Sequence, residues 1–433
     1  MSATPPVERQ GTDVLDALGG RPGGEALLGL ARDRDDIALV GGAVRDLLLG
    51  RAPRELDVTV AGEAGELARD LAERLGETLP EGAGPPRTVI HERFGTASVE
   101  WLGGRVDIAE RREESYARPG ALPEVRPGGE EADLARRDFT VNAIAVHLGG
   151  RRRAELQAVE HAIEDLEAGR LRVLHDASFI DDPTRLLRLA RYRARLDFEI
   201  EPRTAELARE ALARGALGTV SGARVGAELW LATEEGEPLG ALAALGKLGA
   251  LSALGLPAPF DEDLAREALG LLPPDGIRDV VLMAVLFHPP AEEAPGRREA
   301  AAELMGRFEF FAETRERVLA SAFGAESLAD AAQRAQRPSQ LRALLGGRPV
   351  EALAVAGALG ARRSPDVPRR IARWLTDLRH VRLEIGGEEL LAAGVPEGPQ
   401  VGRLLDAVLA RRLDGELADG REAELHAALE ARE

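Results

Sequence analysis

A pair of glycines directly after a short apolar run is the feature that most constrains this chain. Gly41 and Gly42 follow residues 37–40, which read Ile-Ala-Leu-Val. An apolar run of this length indicates a buried strand, and two glycines after it allow a turn whose backbone can come close to a phosphate. A helical pattern at residues 44–49 follows at once. The sequence therefore predicts a strand, a glycine turn and a helix.

Two acidic residues stand a short way beyond the glycines, with a single apolar residue between them. Residues two apart in a strand face the same way, so Glu55 and Asp57 would present both carboxylates on one side while Leu56 packs beneath. Carboxylate oxygens are the ligands that Mg²⁺ prefers. Two such acids alone would more often mark a solvated strand end, but the glycine pair upstream favours a metal site.

This arrangement resembles the nucleotidyltransferases with a DNA-polymerase-β-like head, in which a glycine pair precedes two acids that flank one apolar residue. Later segments narrow the resemblance to the class II tRNA nucleotidyltransferase and bacterial poly(A) polymerase family. They are residues 136–143 (RRDFTVNA), residues 181–185 (DDPTR), Arg224 with Glu228, and two tail segments at residues 385–390 and 394–399. One position departs from the family pattern, because this chain has Glu55 where the family usually has Asp.

The resemblance implies an α+β fold, with an N-terminal polymerase-β-like nucleotidyltransferase head of mixed sheet and helices, then an all-α elongated body and tail. The hydropathy pattern agrees, since strand-like runs occur at residues 37–40, 56–60, 97–101 and 106–109, and helical periodicity prevails after Leu166. We predict five regions, which are a mobile N-terminal lead-in (1–24), the catalytic head (25–150), a helical neck that binds the nucleotide base and RNA (151–235), a helical body (236–375) and a helical tail that binds tRNA (376–433).

The resemblance also implies catalytic roles for three carboxylates. Glu55 and Asp57 would hold Mg²⁺, and Asp107 falls where the family has an acidic residue ahead of an arginine, here Arg112. Asp107 can equally be the structural partner of a nearby arginine. Both interpretations remain open at this point.

Twelve residues match the family positions that bind the nucleotide. They are Gly41, Gly42, Arg45, Arg112, Arg136, Arg137, Asp138, Asn142, Asp182, Arg185, Arg188 and Arg191. An ordinary structural interpretation exists for several of them. Arg45 with Asp46 could form a surface ion pair, and residues 136–146 could simply begin a helix whose apolar residues pack in the core.

The segment from Asp182 to Arg185 is the most specific of these signals. Asp182 is a good N-cap and Pro183 suits the first turn, so a helix begins here whatever its function. An aspartate acceptor and a guanidinium donor one turn apart can also read the edge of a base. In the resembled family this is how CTP and then ATP are chosen. Helix capping alone would explain Asp182 but not the arginines that follow it.

Composition limits the remaining classes. The chain has 433 residues, a formal net charge of −18 and no cysteine, which excludes disulfides, thiolate metal sites and cysteine nucleophiles. The negative charge argues against a protein that coats nucleic acid without specificity, because lysine and arginine supply most of that affinity. The sequence has neither a bilayer-spanning apolar run nor a signal-peptide core, so we expect a cytoplasmic protein without a membrane partner.

The combined prediction is a template-independent RNA nucleotidyltransferase that builds or repairs the 3′-terminal CCA of tRNA. Its substrates would be CTP, ATP and tRNA, bound at the 3′ end and the elbow, with Mg²⁺ as cofactor and pyrophosphate as product. Three alternatives remain: a partial enzyme that adds only A or only CC, a poly(A) polymerase, and an inactive RNA-binding protein. The pattern Arg112-x-Glu114-x-Tyr116, together with the run at residues 56–62 (LDVTVAG), resembles the A-adding branch of the family.

Overall fold

The computed structural model describes residues 7–80, 82, 84–288 and 296–432. The chain divides into two compact units, Met1–Val220 and Ser221–Glu433. The first unit contains a mixed sheet with helices and the second is helical, which confirms the predicted fold class. The division falls inside the neck predicted for residues 151–235, and the five-region scheme stays a prediction.

A seven-stranded sheet forms the centre of the first unit, in the order β3-β4-β5-β2-β1-β8-β9. Its strands are β1 (Ile37–Val40), β2 (Leu56–Val60), β3 (Arg87–His91), β4 (Thr96–Trp101), β5 (Gly104–Glu110), β8 (Ile144–His147) and β9 (Leu156–Ala158). Strands β2 and β5 pair in parallel, whereas the other neighbours pair antiparallel. Two smaller pairs are the hairpin β6 (Arg112–Ser115) with β7 (Glu124–Pro127), and β10 (Arg170–Leu171) with β11 (Glu199–Ile200).

Nine α-helices accompany this sheet in the described part of the first unit. They are α1 (Val7–Gly19), α2 (Gly24–Ala31), α3 (Gly42–Leu48), α4 (Ala64–Thr78), α5 (Glu130–Ala135), α6 (Ala162–Glu167), α7 (Ser178–Asp181), α8 (Thr184–Leu196) and α9 (Pro202–Ala213). Helix α4 is amphipathic and buries Leu67, Leu71 and Leu75, because apolar residues three or four apart lie on one helix face. Helix α3 follows the glycine turn, as the sequence predicts.

Two local predictions are wrong. Residues 7–19 lie in the predicted mobile lead-in but form helix α1, whose Val14, Leu15 and Leu18 are buried; Met1 to Pro6 lie outside the described residues. The suggestion of a helix at residues 136–146 also fails. Helix α5 ends at Ala135, and residues 144–147 form β8, a buried strand between β1 and β9. Apolar periodicity over so few residues does not distinguish a buried strand from a helix.

The described part of the second unit contains thirteen α-helices. They are α10 (Gly222–Thr233), α11 (Pro238–Leu248), α12 (Ala250–Ala253), α13 (Glu262–Leu271), α14 (Arg278–Phe287), α15 (Arg297–Arg307), α16 (Ala312–Arg334), α17 (Pro338–Leu345), α18 (Val350–Ala361), α19 (Asp366–Thr376), α20 (Gly387–Ala392), α21 (Pro399–Leu413) and α22 (Arg421–Glu430). Helix α18 is central, since it packs against α13, α14, α16 and α19 and is buried on every side. No described helix combines the length and the apolar character needed to cross a membrane.

The tail segments singled out in the sequence form a small core of their own. Ile385, Leu390 and Val395 are buried together with Leu404 and Val408 of α21. The apolar residues of these two motifs therefore form the hydrophobic core of the tail.

Candidate active site

Three carboxylates converge on the adjacent parallel strands β2 and β5. Asp57 of β2 and Asp107 of β5 are register partners, and Glu55 lies directly before β2. Each of the three offers an oxygen atom, and these atoms all lie within 4.8 Å of one another. The structure thus brings together the three residues predicted to be catalytic.

Burial and repulsion among the three carboxylates change the pKa of Asp57. Burial and the neighbouring carboxylates of Glu55 and Asp107 raise the pKa of Asp57 from 3.8 to about 7, although Arg137 and Arg45 oppose the shift. A divalent cation would offset this repulsion, and the donors are the hard oxygens that Mg²⁺ prefers. The residues present therefore fit a divalent metal ion.

Asp107 also has protein partners. The Arg105 guanidinium binds both of its carboxylate oxygens, with Nε 2.9 Å from Oδ2 and Nη2 2.8 Å from Oδ1, and the Ser98 hydroxyl donates to Oδ1 at 2.6 Å. Asp107 therefore has the arginine partner that one interpretation of the sequence requires, and its catalytic role stays a prediction. It lies beside the other two carboxylates, and it is paired with an arginine.

The glycine turn brings the backbone against a guanidinium. Gly41 has φ +68°, which L side chains rarely adopt, and a Cβ there would lie only 2.7 Å from Nη1 of Arg137. The Gly41 N–H donates to the carbonyl oxygen of Ile144 at 3.0 Å. Gly41 is therefore required for both the turn and the close approach of Arg137, while Gly42 begins α3.

A buried polar chain runs from the glycine turn to helix α8. Arg45 is 1% exposed, pairs with Asp46 and donates to Oδ1 of Asn142. Asn142 donates to Oδ1 of Asp138 at 2.9 Å, and Arg188 binds Oδ2 of Asp138 at 2.7 Å. The Arg45–Asp46 pair exists, but Arg45 is buried rather than on the surface.

Asp138 holds this chain together. Burial alone would raise its pKa, but Arg188 and the hydrogen bond from Asn142 outweigh that effect and lower the pKa of Asp138 to about 2. The backbone N–H of Phe139 donates to the same carboxylate at 2.8 Å. Asp138 thus orients Asn142 and Arg188, the two other predicted nucleotide-binding residues that it touches.

Two acidic residues bind three more of the predicted arginines. Glu114 accepts from Arg112 at 3.1 Å and from Arg136 at 3.0 Å. Asp133 accepts from Arg136 at 2.8 Å and from Arg137 at 3.0 Å. Asp133 is not among the predicted site residues. The signal was present in the sequence, because Asp133 precedes the two arginines by three and four residues at the end of a helix.

Asp182 and Arg185 differ in their surroundings. Oδ1 of Asp182 accepts from the Thr184 N–H at 3.1 Å and from its hydroxyl at 2.6 Å, as a residue at a helix start does. Arg185 is 4% exposed and donates to Ser178 Oγ and to the Arg136 carbonyl oxygen, each at 2.7 Å. The Arg185 guanidinium therefore links α7 and α8 to the Arg136 backbone. Ser178 carried no signal that pointed to this contact.

Helix α8 carries the last two predicted residues. Arg188 is partly exposed and faces Asp138, whereas Arg191 is buried. The structure therefore places all twelve predicted nucleotide-binding residues in the first unit, along with the carboxylates.

Comparisons with known proteins agree with this geometry. Residues 37–172 match the poly A polymerase head domain. The CC-adding tRNA nucleotidyltransferase of Deinococcus radiodurans is 34% identical over 382 residues, which cover 88% of this chain and 85% of that protein. The chain belongs to the tRNA nucleotidyltransferase family. The predicted resemblance to the class II tRNA nucleotidyltransferases and bacterial poly(A) polymerases is confirmed.

Other members of the tRNA nucleotidyltransferase family are also similar. The A-adding enzyme of Geobacter sulfurreducens is 33% identical over 92% of this chain, but the alignment covers only 46% of that protein. The chain spans about half or less of the length of the A-adding relatives it matches. A solved structure of the Thermotoga maritima CCA-adding enzyme complexed with tRNA superposes with a TM-score of 0.72 at 27% identity, covering 98% of each chain.

Proposed function

We propose that the protein is a nucleotidyltransferase that builds or repairs the 3′-terminal CCA of tRNA from CTP and ATP and releases pyrophosphate. The observation that carries this proposal is the convergence of Glu55, Asp57 and Asp107 beside an arginine-lined glycine turn. The sequence relatives include CC-adding and A-adding tRNA nucleotidyltransferases, and similar solved structures are of CCA-adding enzymes with ATP and with CTP. A cytoplasmic location stays a prediction from the sequence.

The metal is proposed to be Mg²⁺, held by Glu55 and Asp57 with Asp107 beside them. When bound, such an ion would neutralise negative charge on the attacking 3′-hydroxyl and on the phosphate that it attacks. The protein supplies Asp57 and Asp107 from the paired central strands β2 and β5, and Glu55 from the position directly before β2. Arg105 keeps the Asp107 side chain in place through two of its nitrogens.

The nucleotide would bind where the glycine turn meets the arginines. The Gly41–Gly42 backbone allows a triphosphate to come close, and Arg137 lies beside it. Arg45, Asn142 and Asp138 form the buried support behind this turn. An arginine has five N–H donors, so Arg185 can donate to a base as well as to its two protein acceptors. Asp182 supplies the acceptor for the same base edge.

Addition of A alone is a second candidate, which two observations favour. A-adding enzymes are among the relatives with 33% and 39% identity. The hairpin residues that favour this branch in the sequence also contact one another, since Arg112 and Tyr116 both donate to the Glu114 carboxylate. This hairpin holds Arg136 through the same carboxylate.

Product sequencing tests the proposal and separates the candidates. Three tRNAs that end before CCA, at C and at CC are incubated with Mg²⁺, CTP and ATP. A complete enzyme finishes all three, an A-adding enzyme extends only the third, and a CC-adding enzyme stops at CC. Long A tails on an unrelated RNA would indicate a poly(A) polymerase. Binding of tRNA without incorporation would contradict the proposal and indicate an inactive RNA-binding protein. The Asp57→Ala variant is the matched control.

A further inference from the structure

Three guanidinium groups surround one aromatic ring in the first unit. The Tyr192 ring centroid lies 5.4 Å from Cζ of Arg45, 5.4 Å from Cζ of Arg188 and 5.2 Å from Cζ of Arg195. The Phe139 ring packs against Tyr192 edge-on, with centroids 5.8 Å apart and an interplanar angle of 84°. Neither the motifs nor the proposed mechanism assigns a role to Tyr192.

Tyr192 contacts the two ends of the buried polar chain. Arg45 follows the glycine turn on α3, and Arg188 lies on α8 one turn before Tyr192. The Tyr192 hydroxyl also accepts a hydrogen bond from Nη2 of Arg188 at 3.0 Å. The chain through Asn142 and Asp138 connects the same two arginines on a second route. Arg45 and Arg188 are therefore fixed to each other by two independent contacts.

The ring adds a favourable contact for each of these guanidinium groups. Arg45 also pairs with Asp46, and Arg188 with Asp138. The face of an aromatic ring is electron-rich and attracts a cation, most strongly where water is excluded. Arg45 is 1% exposed, so solvent weakens its contact with the ring very little.

We propose that Tyr192 is a positioning residue for the nucleotide. Its ring holds the buried Arg45 and the partly exposed Arg188 in place between the glycine turn and helix α8, so that the triphosphate meets a turn and an Arg188 side chain whose positions are already fixed. This inference rests on the proposed function, because it takes the surroundings of the glycine turn to be the nucleotide site. Loss of the ring would then weaken nucleotide binding more than it slows the transfer step.

Stepwise fluorination of the ring tests this role. Phe, 4-fluoro-Phe and 3,5-difluoro-Phe replace Tyr192 in the full chain, and ATP and CTP binding are measured by calorimetry. Each fluorine withdraws electron density from the ring face and hardly changes its size. We expect the Phe variant to bind within about threefold of the wild type, and the difluoro variant about tenfold more weakly than the Phe variant. With tRNA present, KM should rise in parallel while kcat changes little.

The same two fluorinated residues, 4-fluoro-Phe and 3,5-difluoro-Phe, placed at position 139 provide the matched control. Phe139 is buried and touches Tyr192, so fluorination there perturbs the packing without altering the ring that the three arginines face. A Kd that does not depend on fluorination at Tyr192, or that changes equally at Phe139, would overturn the proposal. Melting temperatures of all variants separate loss of folding from loss of binding.

Two outcomes keep this proposal separate from the proposed function. If the wild-type protein binds ATP but transfers nothing to tRNA, the proposed function fails while the dependence of Kd on fluorination can still be read. If the wild-type protein transfers nucleotides to tRNA and the Kd does not change with fluorination, only the proposed role of Tyr192 is contradicted. A wild-type protein that binds neither ATP nor CTP would contradict both.

Discussion

Asp57 and Asp107 lie opposite each other on the parallel strands β2 and β5. Register partners in adjacent strands present their side chains to the same face of a sheet, so the two carboxylates are held close together by backbone hydrogen bonds. Glu55 adds a third carboxylate, and burial with these neighbours raises the pKa of Asp57 to about 7. The fold therefore maintains a repulsive arrangement that a bound cation would relieve.

Replacement of Asp57 by Ala should abolish nucleotide addition and leave tRNA binding nearly intact. The carboxylate is expected to serve the metal rather than the RNA. Incorporation of labelled ATP and CTP measures the first effect, and a filter-binding or gel-shift titration with tRNA measures the second. Substantial activity of this variant across a magnesium titration would contradict the metal assignment.

Replacement of Asp57 by Asn should stabilise the metal-free protein at alkaline pH. The pKa of Asp57 is about 7 in the folded chain, against an ordinary value of 3.8. The folded state therefore binds the proton more tightly than the unfolded state, and the wild type loses stability as the pH rises from about 4 to 7. The Asn variant carries no such charge. We expect a gain on the order of 1–3 kcal/mol above pH 7, since partial solvent access reduces the full effect of the shift.

Thermal unfolding in a chelating buffer at pH 5, 6, 7 and 8 measures this gain. The difference between the Asn variant and the wild type should grow with pH and level off near pH 8. Addition of Mg²⁺ should stabilise the wild type more than the variant and so narrow the difference. A difference in melting temperature that is constant with pH would show that the charge of Asp57 has no cost in the folded protein.

The parts of the site that are formed by residues close together in the sequence were predicted correctly. β1, β2, the glycine turn and the Glu55–Asp57 pair are contiguous in sequence, and the structure has β1 and β2 at the predicted residues. β8 was missed because its burial depends on neighbours distant in sequence. The contact of Tyr192 with Arg45 was missed for the same reason. The contact of Arg185 with Ser178 spans only seven residues, and it was missed because Ser178 belongs to none of the motifs.

Replacement of Glu55 by Asp should be tolerated. Glu55 is exposed and lies before β2 rather than within it, so no strand pairing fixes its side chain, and Asp is the usual family residue at this position. We expect turnover within about threefold of the wild type, because the substitution keeps the carboxylate ligand and shortens its side chain by only one methylene group. Steady-state kinetics with Mg²⁺ and Mn²⁺ provide the measurement. Complete loss of activity would show that this site is built around the longer side chain.

Replacement of Arg185 by Ala should cost both stability and activity. The guanidinium is 4% exposed and donates to Ser178 and to the Arg136 carbonyl oxygen, so its removal leaves two buried acceptors unpaired. Charge-assisted hydrogen bonds are worth about 1.5–3 kcal/mol each, and we expect a total loss of about 3 kcal/mol. Chemical denaturation measures this loss. A stability equal to that of the wild type would show that these two contacts contribute little.

Replacement of Asp182 by Asn is the sharper test of base selection. Oδ1 of Asp182 accepts both hydrogen bonds from Thr184, and the Asn carbonyl oxygen can keep them, so the helix start should survive. The amide nitrogen of Asn, however, is a donor where the carboxylate offered an acceptor to the base. Selectivity should therefore relax, with GTP and UTP incorporated more readily relative to CTP and ATP, at an unchanged melting temperature.

Thr184→Val is the matched control, because it removes one hydrogen bond to Asp182 but keeps the carboxylate, and it should lower stability without changing selectivity. Single-nucleotide incorporation assays on both variants decide the question, since wild-type selectivity and turnover in Asp182→Asn would leave Asp182 with a purely structural role at the start of α8.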